Sequence, residues 1–286
     1  VKISELVAAA LLEDDFRSDV TTQSLDSFID SEQKINFSIL AKSEGVFSGL
    51  KWLQAFSDFQ YEELPEESQS FQKGERIILG RARLKDIFSI ERSLLNGLQN
   101  FCGVATQTKK ICEKVTRLSQ ERSLKVTPKI YHTRKTLPLL RELQIDAALA
   151  GGAHLHRHSL SHRKMFKDNH KEVLAEYGVS YAQFASHELK ENPDSEALFE
   201  VDSLVELKEL LGVGVSFFLL DNFSESSLEE ALKLKKSGIS YELSGGISYD
   251  TLDAYVIEGV DRISLGALTH SVRPVDLSFE WRAKKT

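Results

Sequence analysis

The sequence predicts an α/β protein in two parts, a mixed α+β region followed by a barrel-like array of parallel strands. Three observations predict it. From about Val126 onward, short β-rich runs alternate with helical stretches, the pattern of parallel strands joined by helical crossovers. Nearly every one of those runs ends, on its C-terminal side, in a charged residue or a glycine pair, and parallel barrels carry their chemistry at that end of the strands. Before Val126, helix-like and strand-like runs occur without that alternation.

Taken in order, Ser4–Leu12 has the apolar spacing of an amphipathic helix. Ile35–Leu40 and Arg76–Leu79 read as strands, and the polar, acidic stretch Leu64–Lys73 reads as a solvated loop. Ser89–Leu118 reads as a long amphipathic region that Gly103 breaks into two helices. Seven candidate strands follow: PKIYH, AALAGG, KMFKDN, ALFEVD, SFFLLDN, SYELSGG and RISLGAL. Between most of them lie helix candidates at Leu137–Leu143, Glu172–Leu189, Leu204–Leu211, Ser227–Lys236 and Tyr249–Glu258. Seven strands are one short of a closed barrel, so either the barrel is incomplete or one strand escapes the pattern.

Composition narrows the function. A formal net charge of −7 argues against general affinity for nucleic acid or an anionic membrane, so any basic site is local. Cys102 and Cys112 give neither a disulfide framework nor a zinc signature and read as reduced thiols. The N-terminal VKISELVAAALLEDD lacks the pattern of a signal peptide, and no run of about 18 apolar residues occurs. These features lead us to expect a cytoplasmic enzyme.

The local basic site is visible. Six of the eight histidines lie between His132 and His170, with Arg134, Lys135, Arg141, Arg157, Arg163, Lys164, Lys167 and Lys171 in almost the same window. Such cations at strand ends would converge on a small, multiply charged anion. Arg134, Lys135, Arg157 and Lys167 fall at strand ends and are the candidates, whereas Arg141, Arg163, Lys164 and Lys171 lie between or beyond those ends and are expected to be solvated. His154, His156 and His158 alternate and could face one way as metal ligands, but the surrounding cations disfavour that reading.

Glu200 and Asp221 end neighbouring predicted strands. Two carboxylates on one rim can hold a divalent cation, bind ribose hydroxyls or stabilise a positive transition state, or simply cap the next helix. The last two strands end in LSGGIS and SLGALTHS, where glycine lets backbone N–H groups approach a phosphate.

With these residues in hand, the chain resembles the quinolinate phosphoribosyltransferases (carboxylating nicotinate-nucleotide pyrophosphorylases). EDDFRSDVTT, AKSEGVFSGL, ERSLLNGLQNFCGVAT, HTRKTLP, GGAHLHRHSL, KDNH, FEVDSL, LLDNF, LSGGI and SLGALTHS stand in that family's order and spacing. The resemblance implies an N-terminal α/β sandwich over 1–110, joined by the tail 273–286 and packed on an irregular, incomplete, seven-stranded α/β barrel over 111–272. It implies a homodimer, or a dimer-based hexamer, in which one subunit completes the other's site. It implies transfer of the phosphoribosyl group of phosphoribosyl pyrophosphate to the ring nitrogen of quinolinate, with loss of CO2, assisted by Mg2+ and no organic cofactor.

By motif, Arg92 would reach the partner's site and bind a substrate carboxylate. Arg134, Lys135, His156, Arg157 and Lys167 would line the substrate pocket. Glu200 and Asp221 would bind the ribose and its metal-bound pyrophosphate. Ser244, Gly245, Gly246, Gly266 and His270 would surround the 5-phosphate. Lys135, Glu200 and Asp221 would be the catalytic set. The sequence departs from the family at His132, Leu155 and His162, which flank the cations. The molybdenum-transport-associated paralogues, a metal-dependent hydrolase using His154, His156, Asp221 and His170, and a non-catalytic binding protein are the competing readings.

Overall fold

The structure is a computed structural model and describes residues 1–282. In chain order they form α1 (Ile3–Glu13), α2 (Val20–Leu25), β1 (Lys34–Ala41), β2 (Gly45–Val46), α3 (Leu50–Gln54), β3 (Gln60–Glu63), β4 (Ser70–Phe71), β5 (Arg76–Arg83) and α4 (Leu84–Glu121). Then come β6 (Lys129–Tyr131), α5 (Arg141–Ala150), β7 (Met165–Phe166), α6 (Asp168–Glu176), α7 (Tyr181–Glu191), β8 (Leu198–Val201), α8 (Leu204–Gly212) and β9 (Phe217–Asp221). α9 (Glu225–Leu234), β10 (Ser240–Ser244), β11 (Arg262–Ser264), α10 (Ala267–His270) and β12 (Leu277–Arg282) complete the order.

The chain divides into two compact units, one of Val1–Lys110, Thr136–Gly152 and the described residues from Leu268 onward, the other of Ile111–Lys135 and Ala153–Ala267. The first is built on an antiparallel sheet of order β12-β1-β5-β3. Ile35, Phe37, Ile39 and Ala41 alternate along β1 and are buried, as a strand with one apolar face requires. Phe37 packs at 5.3 Å from Phe59 and 4.8 Å from Phe279. Each such ring contributes about 1.5–3 kcal/mol by leaving water. β12 pairs with β1 from Asn36↔Arg282 to Ala41↔Leu277, so the C-terminal strand belongs to this sheet. The predicted tail's residues 283–286 lie outside the described residues.

Helix α4 runs through Gly103 without the expected break. The glycine is there for packing: a Cβ at 103 would stand 2.6 Å from the carbonyl oxygen of Arg273 and 3.0 Å from Pro274 Cα. The stretch Leu64–Lys73 is not all solvated loop, since it contains β4 and Phe71 is buried.

The second unit is a six-stranded parallel sheet of order β6-β11-β10-β9-β8-β7. Six of the seven predicted strands are present. The seventh, AALAGG, is the last turn of α5 and its glycine end. Apolarity alone did not separate the two, and alanine is the strongest helix former. A single parallel bridge between Tyr131 and His154 is what remains of a seventh partner. The predicted helix Glu172–Leu189 is two helices, α6 and α7, separated at Gly178, whose φ is +71°. Tyr249–Glu258 condenses to one 3-10 turn at Leu252–Ala254.

Candidate active site

The strands of the second unit point the same way, so their C-terminal ends form one rim. Thr133–Lys135 follow β6, Lys167 follows β7, Glu200 lies near the end of β8, Asp221 ends β9, Ser244–Gly246 end and follow β10, and Gly266 follows β11. Ser244 and Asp221 are register partners, as are Phe199 and Phe218, one residue before Glu200 and three before Asp221. The parallel register therefore delivers to one edge the cations, carboxylates and glycines that the sequence scatters over 134 residues (from 133 to 266).

Arg134 is half-buried, and its Nε is buried with no hydrogen-bond partner among the described residues. Arg157 is also half-buried. Burial, then the guanidiniums of Arg134 and Arg163, push Arg157 down from the ordinary arginine range. Cations that repel one another in a partly dry place favour an anion there. Lys135 is exposed, and its backbone N–H donates to Thr133 Oγ1 at 3.2 Å.

Lys167 Nζ donates to Glu200 Oε2, and Asp168 N–H donates to Glu200 Oε1 at 3.2 Å. Glu200 is 4% exposed, so this lysine and this helix start hold it in place. Asp221 is half-buried, and its Oδ2 accepts from Asn222 Nδ2 at 2.7 Å. Asn222 N–H donates to the Ser244 carbonyl at 3.0 Å. Gly245 has φ +96°, and a Cβ on it would fall 2.2 Å from Asn222 Oδ1, so both conformation and space demand glycine. Gly246 has φ +59° and faces open space.

His156 points elsewhere than toward the other imidazoles. Its Nε2 lies 3.0 Å from Glu242 Oε1, close but out of line for a good hydrogen bond. Its backbone N–H donates to His132 Nε2 at 3.2 Å. His132 is fully buried with Nδ1 3.2 Å from the Thr133 carbonyl, which assigns the proton to Nδ1 and leaves Nε2 as acceptor. Burial pushes His132 down from its ordinary value, in keeping with a neutral ring. His154 lies against Tyr131, ring centres 5.5 Å apart, while His158 stacks on His162 at 4.2 Å. His154 and His156 both lie against Tyr131, at 5.5 and 6.0 Å, and His158 pairs with His162 instead; no group of three metal-ligating side chains occurs among the described residues.

Arg92 and His270 belong to the first unit. The Arg92 side chain on α4 is 63% exposed, with Glu91 3.9 Å away. His270 Nδ1 is 2.6 Å from Ser271 Oγ.

Two expectations change. Arg163 and Lys171 are not solvated: their side chains are 13% and 12% exposed. Lys171 is held by Asp202 and Glu206 at 3.1 and 3.0 Å. Glu242 was missed altogether. It is 1% exposed and receives the Ser264 hydroxyl besides the His156 contact. Burial alone would raise its carboxyl; His156, Ser264 and Arg262 outweigh that and hold it below the ordinary range. The signal available was a glutamate in the middle of the apolar run SYELS, where a charge needs a partner.

Residues 19–102 match the family model for the quinolinate phosphoribosyl transferase N-terminal domain, and residues 104–280 that for its C-terminal domain. A probable carboxylating nicotinate-nucleotide pyrophosphorylase of Methanocaldococcus jannaschii is 35% identical over 92% of this chain and 91% of its own. Its counterpart in Bacillus subtilis is 32% identical over 98% and 93%. Among solved structures, the nicotinate-nucleotide pyrophosphorylase of Ehrlichia chaffeensis has a TM-score of 0.84, at 27% identity over 99% of both chains.

Proposed function

This chain belongs to the quinolinate phosphoribosyl transferase family, and from that premise we propose that the strand-end rim catalyses the family reaction. The enzyme is a pentosyltransferase: it moves the phosphoribosyl group of phosphoribosyl pyrophosphate to the ring nitrogen of quinolinate with decarboxylation, giving nicotinate mononucleotide, pyrophosphate and CO2 for NAD biosynthesis. The observation that carries the site is the convergence of Arg134 and Lys167 with Glu200, Asp221 and the Gly245–Gly246 turn on one edge of the parallel sheet, with Arg157 close enough to Arg134 to feel its charge.

The roles follow from charge. Quinolinate has two carboxylates beside a weakly nucleophilic nitrogen. Arg134, Lys135, His156 and Arg157 offset and orient it, which is a positioning effect. As pyrophosphate leaves, the ribose carbon becomes cationic, and Glu200 and Asp221 stabilise that charge. The Lys167–Glu200 contact fixes the Glu200 carboxylate before substrate arrives, so little reorganisation is needed. Bonding makes the ring a pyridinium, which accepts the electron pair released when the adjacent carboxylate departs as CO2. The substrate is its own electron sink, so no organic cofactor is required. Ser244, Gly245, Gly246 and Gly266 receive the 5-phosphate.

A magnesium ion carried by the pyrophosphate would be held mainly by the phosphates and water, with Asp221 and Glu200 as the carboxylates nearest to it, and would supply charge neutralisation to the leaving group. The donor set fits that arrangement. Glu200 has its oxygens engaged by Lys167 and the Asp168 N–H, whereas Asp221 meets one amide. One available carboxylate suits an ion held mainly by substrate phosphates and water.

We further propose a homodimer, or a dimer-based hexamer, in which Arg92 serves the partner's site; its exposure on α4 supports this. A cytoplasmic setting is supported by the two unpaired thiols. No helix among the described residues is long and apolar enough to cross a membrane.

The test is to incubate purified protein with quinolinate, phosphoribosyl pyrophosphate and Mg2+ and to follow nicotinate mononucleotide and CO2 together. Equimolar appearance of both, and none when nicotinate replaces quinolinate, is expected. Folded, dimeric protein that yields neither would overturn the reading. Mixing Arg92→Ala with Lys135→Ala protein should restore one intact site per mixed dimer; a mixed dimer without activity would end the shared-site proposal.

A further inference from the structure

The second unit has another basic cleft, at the opposite end of its strands. Arg262 is the first residue of β11, Phe217 the first of β9, and Arg163 and Lys164 immediately precede β7. Around them a cleft of about 670 Å³ opens, lined also by Tyr131, His156 and His162. Arg262, Phe217, Arg163 and Lys164 stand at or just before strand N-termini, whereas Lys167, Asp221 and Ser244 lie at C-termini; Tyr131 ends β6, and His156 lies in the connection that leads into β7. The cleft is also at the seam of the sheet, since β6 and β7 are its two edges.

Its cations are built in rather than merely exposed. The guanidinium of Arg163 lies 4.5 Å from the centre of the Phe217 ring and that of Arg262 lies 4.3 Å from the same ring, with Tyr131 5.0 Å from Arg262. Arg163 is 13% exposed; its Nε donates to the Glu196 carbonyl at 2.7 Å, but its buried Nη2 has no hydrogen-bond partner. The Glu196 carboxylate stands 3.9 Å off on a side chain 76% exposed, too far for a hydrogen bond and largely screened by solvent. The Arg262 side chain makes no hydrogen bond or ion pair among the described residues, although its backbone is paired within β11. Glu242 offsets part of its charge from inside the sheet, but it makes no ion pair with Arg262: its Oε1 accepts from Ser264 and lies beside His156, and its buried Oε2 has no hydrogen-bond partner among the described residues.

Ring faces hold a guanidinium by its flat side and leave the N–H edges free. Two such groups fixed beside one phenyl ring repel each other unless an anion lies between them. Oxygen pairs of phosphate or carboxylate match those edges. We propose that this cleft is a second anion site, taking a small oxyanion of at least two negative charges through Arg163 and Arg262, with His162 and Lys164 at its mouth. It does not rest on the reaction assigned to the other end of the strands.

The experiment is calorimetric titration of the full chain at low ionic strength with inorganic phosphate and, separately, with malonate. For at least one of them, the native chain should show two binding events. Arg163→Gln/Arg262→Gln should remove one of them, weakening it by tenfold or more. Arg134→Ala/Lys135→Ala should weaken the other and leave the first. A response to phosphate alone assigns a phosphoryl ligand, and to malonate alone a carboxylate. Arg262→Lys, which keeps the charge but not the fork, should fold normally and bind several-fold more weakly. Isotherms of the double glutamine variant or of Arg262→Lys that superimpose on the native ones for both anions would overturn the proposal.

Discussion

Replacing His156 by leucine tests whether Glu242 is held ionised within the sheet. Glu242 is 1% exposed, and its charge meets one imidazole at 3.0 Å and one hydroxyl. Leucine removes the imidazole and keeps most of the bulk. The carboxylate can then stay charged without that partner or take up a proton, and the second course caps the cost. An ordinary glutamate titrates at 4.5, which is 7 − 4.5 = 2.5 pH units below neutrality. At about 1.36 kcal/mol per unit the cap is about 3.4 kcal/mol at pH 7 and about 0.7 kcal/mol at pH 5. Removing one partner of a buried pair costs about 3–5 kcal/mol, so the cap is the controlling figure.

The sign follows from the native state, where the carboxyl lies below its ordinary value. Its contribution is therefore present above that value and lost as the pH falls through the native one. Urea unfolding of native and variant chains at pH 7 and pH 5, followed by circular dichroism, should give a difference about 2.7 kcal/mol larger at pH 7. Adding Glu242→Leu to the variant should recover most of the loss at pH 7. A loss equal at both pH values, or below about 1 kcal/mol at pH 7, would refute the ionised carboxylate.

Other outcomes follow from the same geometry. Arg157→Ala should lower kcat/KM by the equivalent of about 2–5 kcal/mol if it pairs with a substrate carboxylate, and near-normal steady-state kinetics would contradict its place. Burial pushes the Cys102 thiol up to about 12 and the Cys112 thiol up to about 11, so neither should react with a thiol reagent in the folded chain at pH 8; rapid labelling of either would count against the buried helix face. Gly103→Val should destabilise strongly, because its Cβ would meet the backbone at Arg273 and Pro274; an unchanged melting temperature would contradict that packing. Burial holds His132 below its ordinary 6.5, so the stability it contributes is complete above 6.5 and falls as the pH drops below it. The melting-temperature difference between the native chain and His132→Gln should shrink over that range.

The rim was legible because parallel topology converts a one-dimensional rule into a place. A charge or glycine pair after each β-rich run had to arrive at one end of the sheet, and Lys167, Glu200, Asp221 and Ser244 did. What was not legible depends on partners distant in sequence. Gly103 reads as a helix break until residues 273 and 274 are seen against it. Arg163 reads as solvated until Phe217 is found under its guanidinium. Glu242 reads as an interruption of a strand until His156, 86 residues earlier (242 − 156), is found facing it. AALAGG failed for a local reason, since an alanine-rich apolar run carries no period to separate strand from helix.

The pairing of β12 with β1 has a consequence for how the chain is made. Ile39 and Phe279 are register partners 240 residues apart (279 − 39). At about 5–20 residues per second, translation takes roughly 12–48 s to cover that interval. Throughout it β1, interior in the finished sheet, is an uncovered edge whose alternate residues Ile35, Phe37 and Ile39 are strongly apolar. An edge of that kind pairs readily with another chain. The nascent polypeptide therefore spends that interval with an exposed apolar edge as its own aggregation hazard, which ends only when Leu277–Arg282 pair with β1.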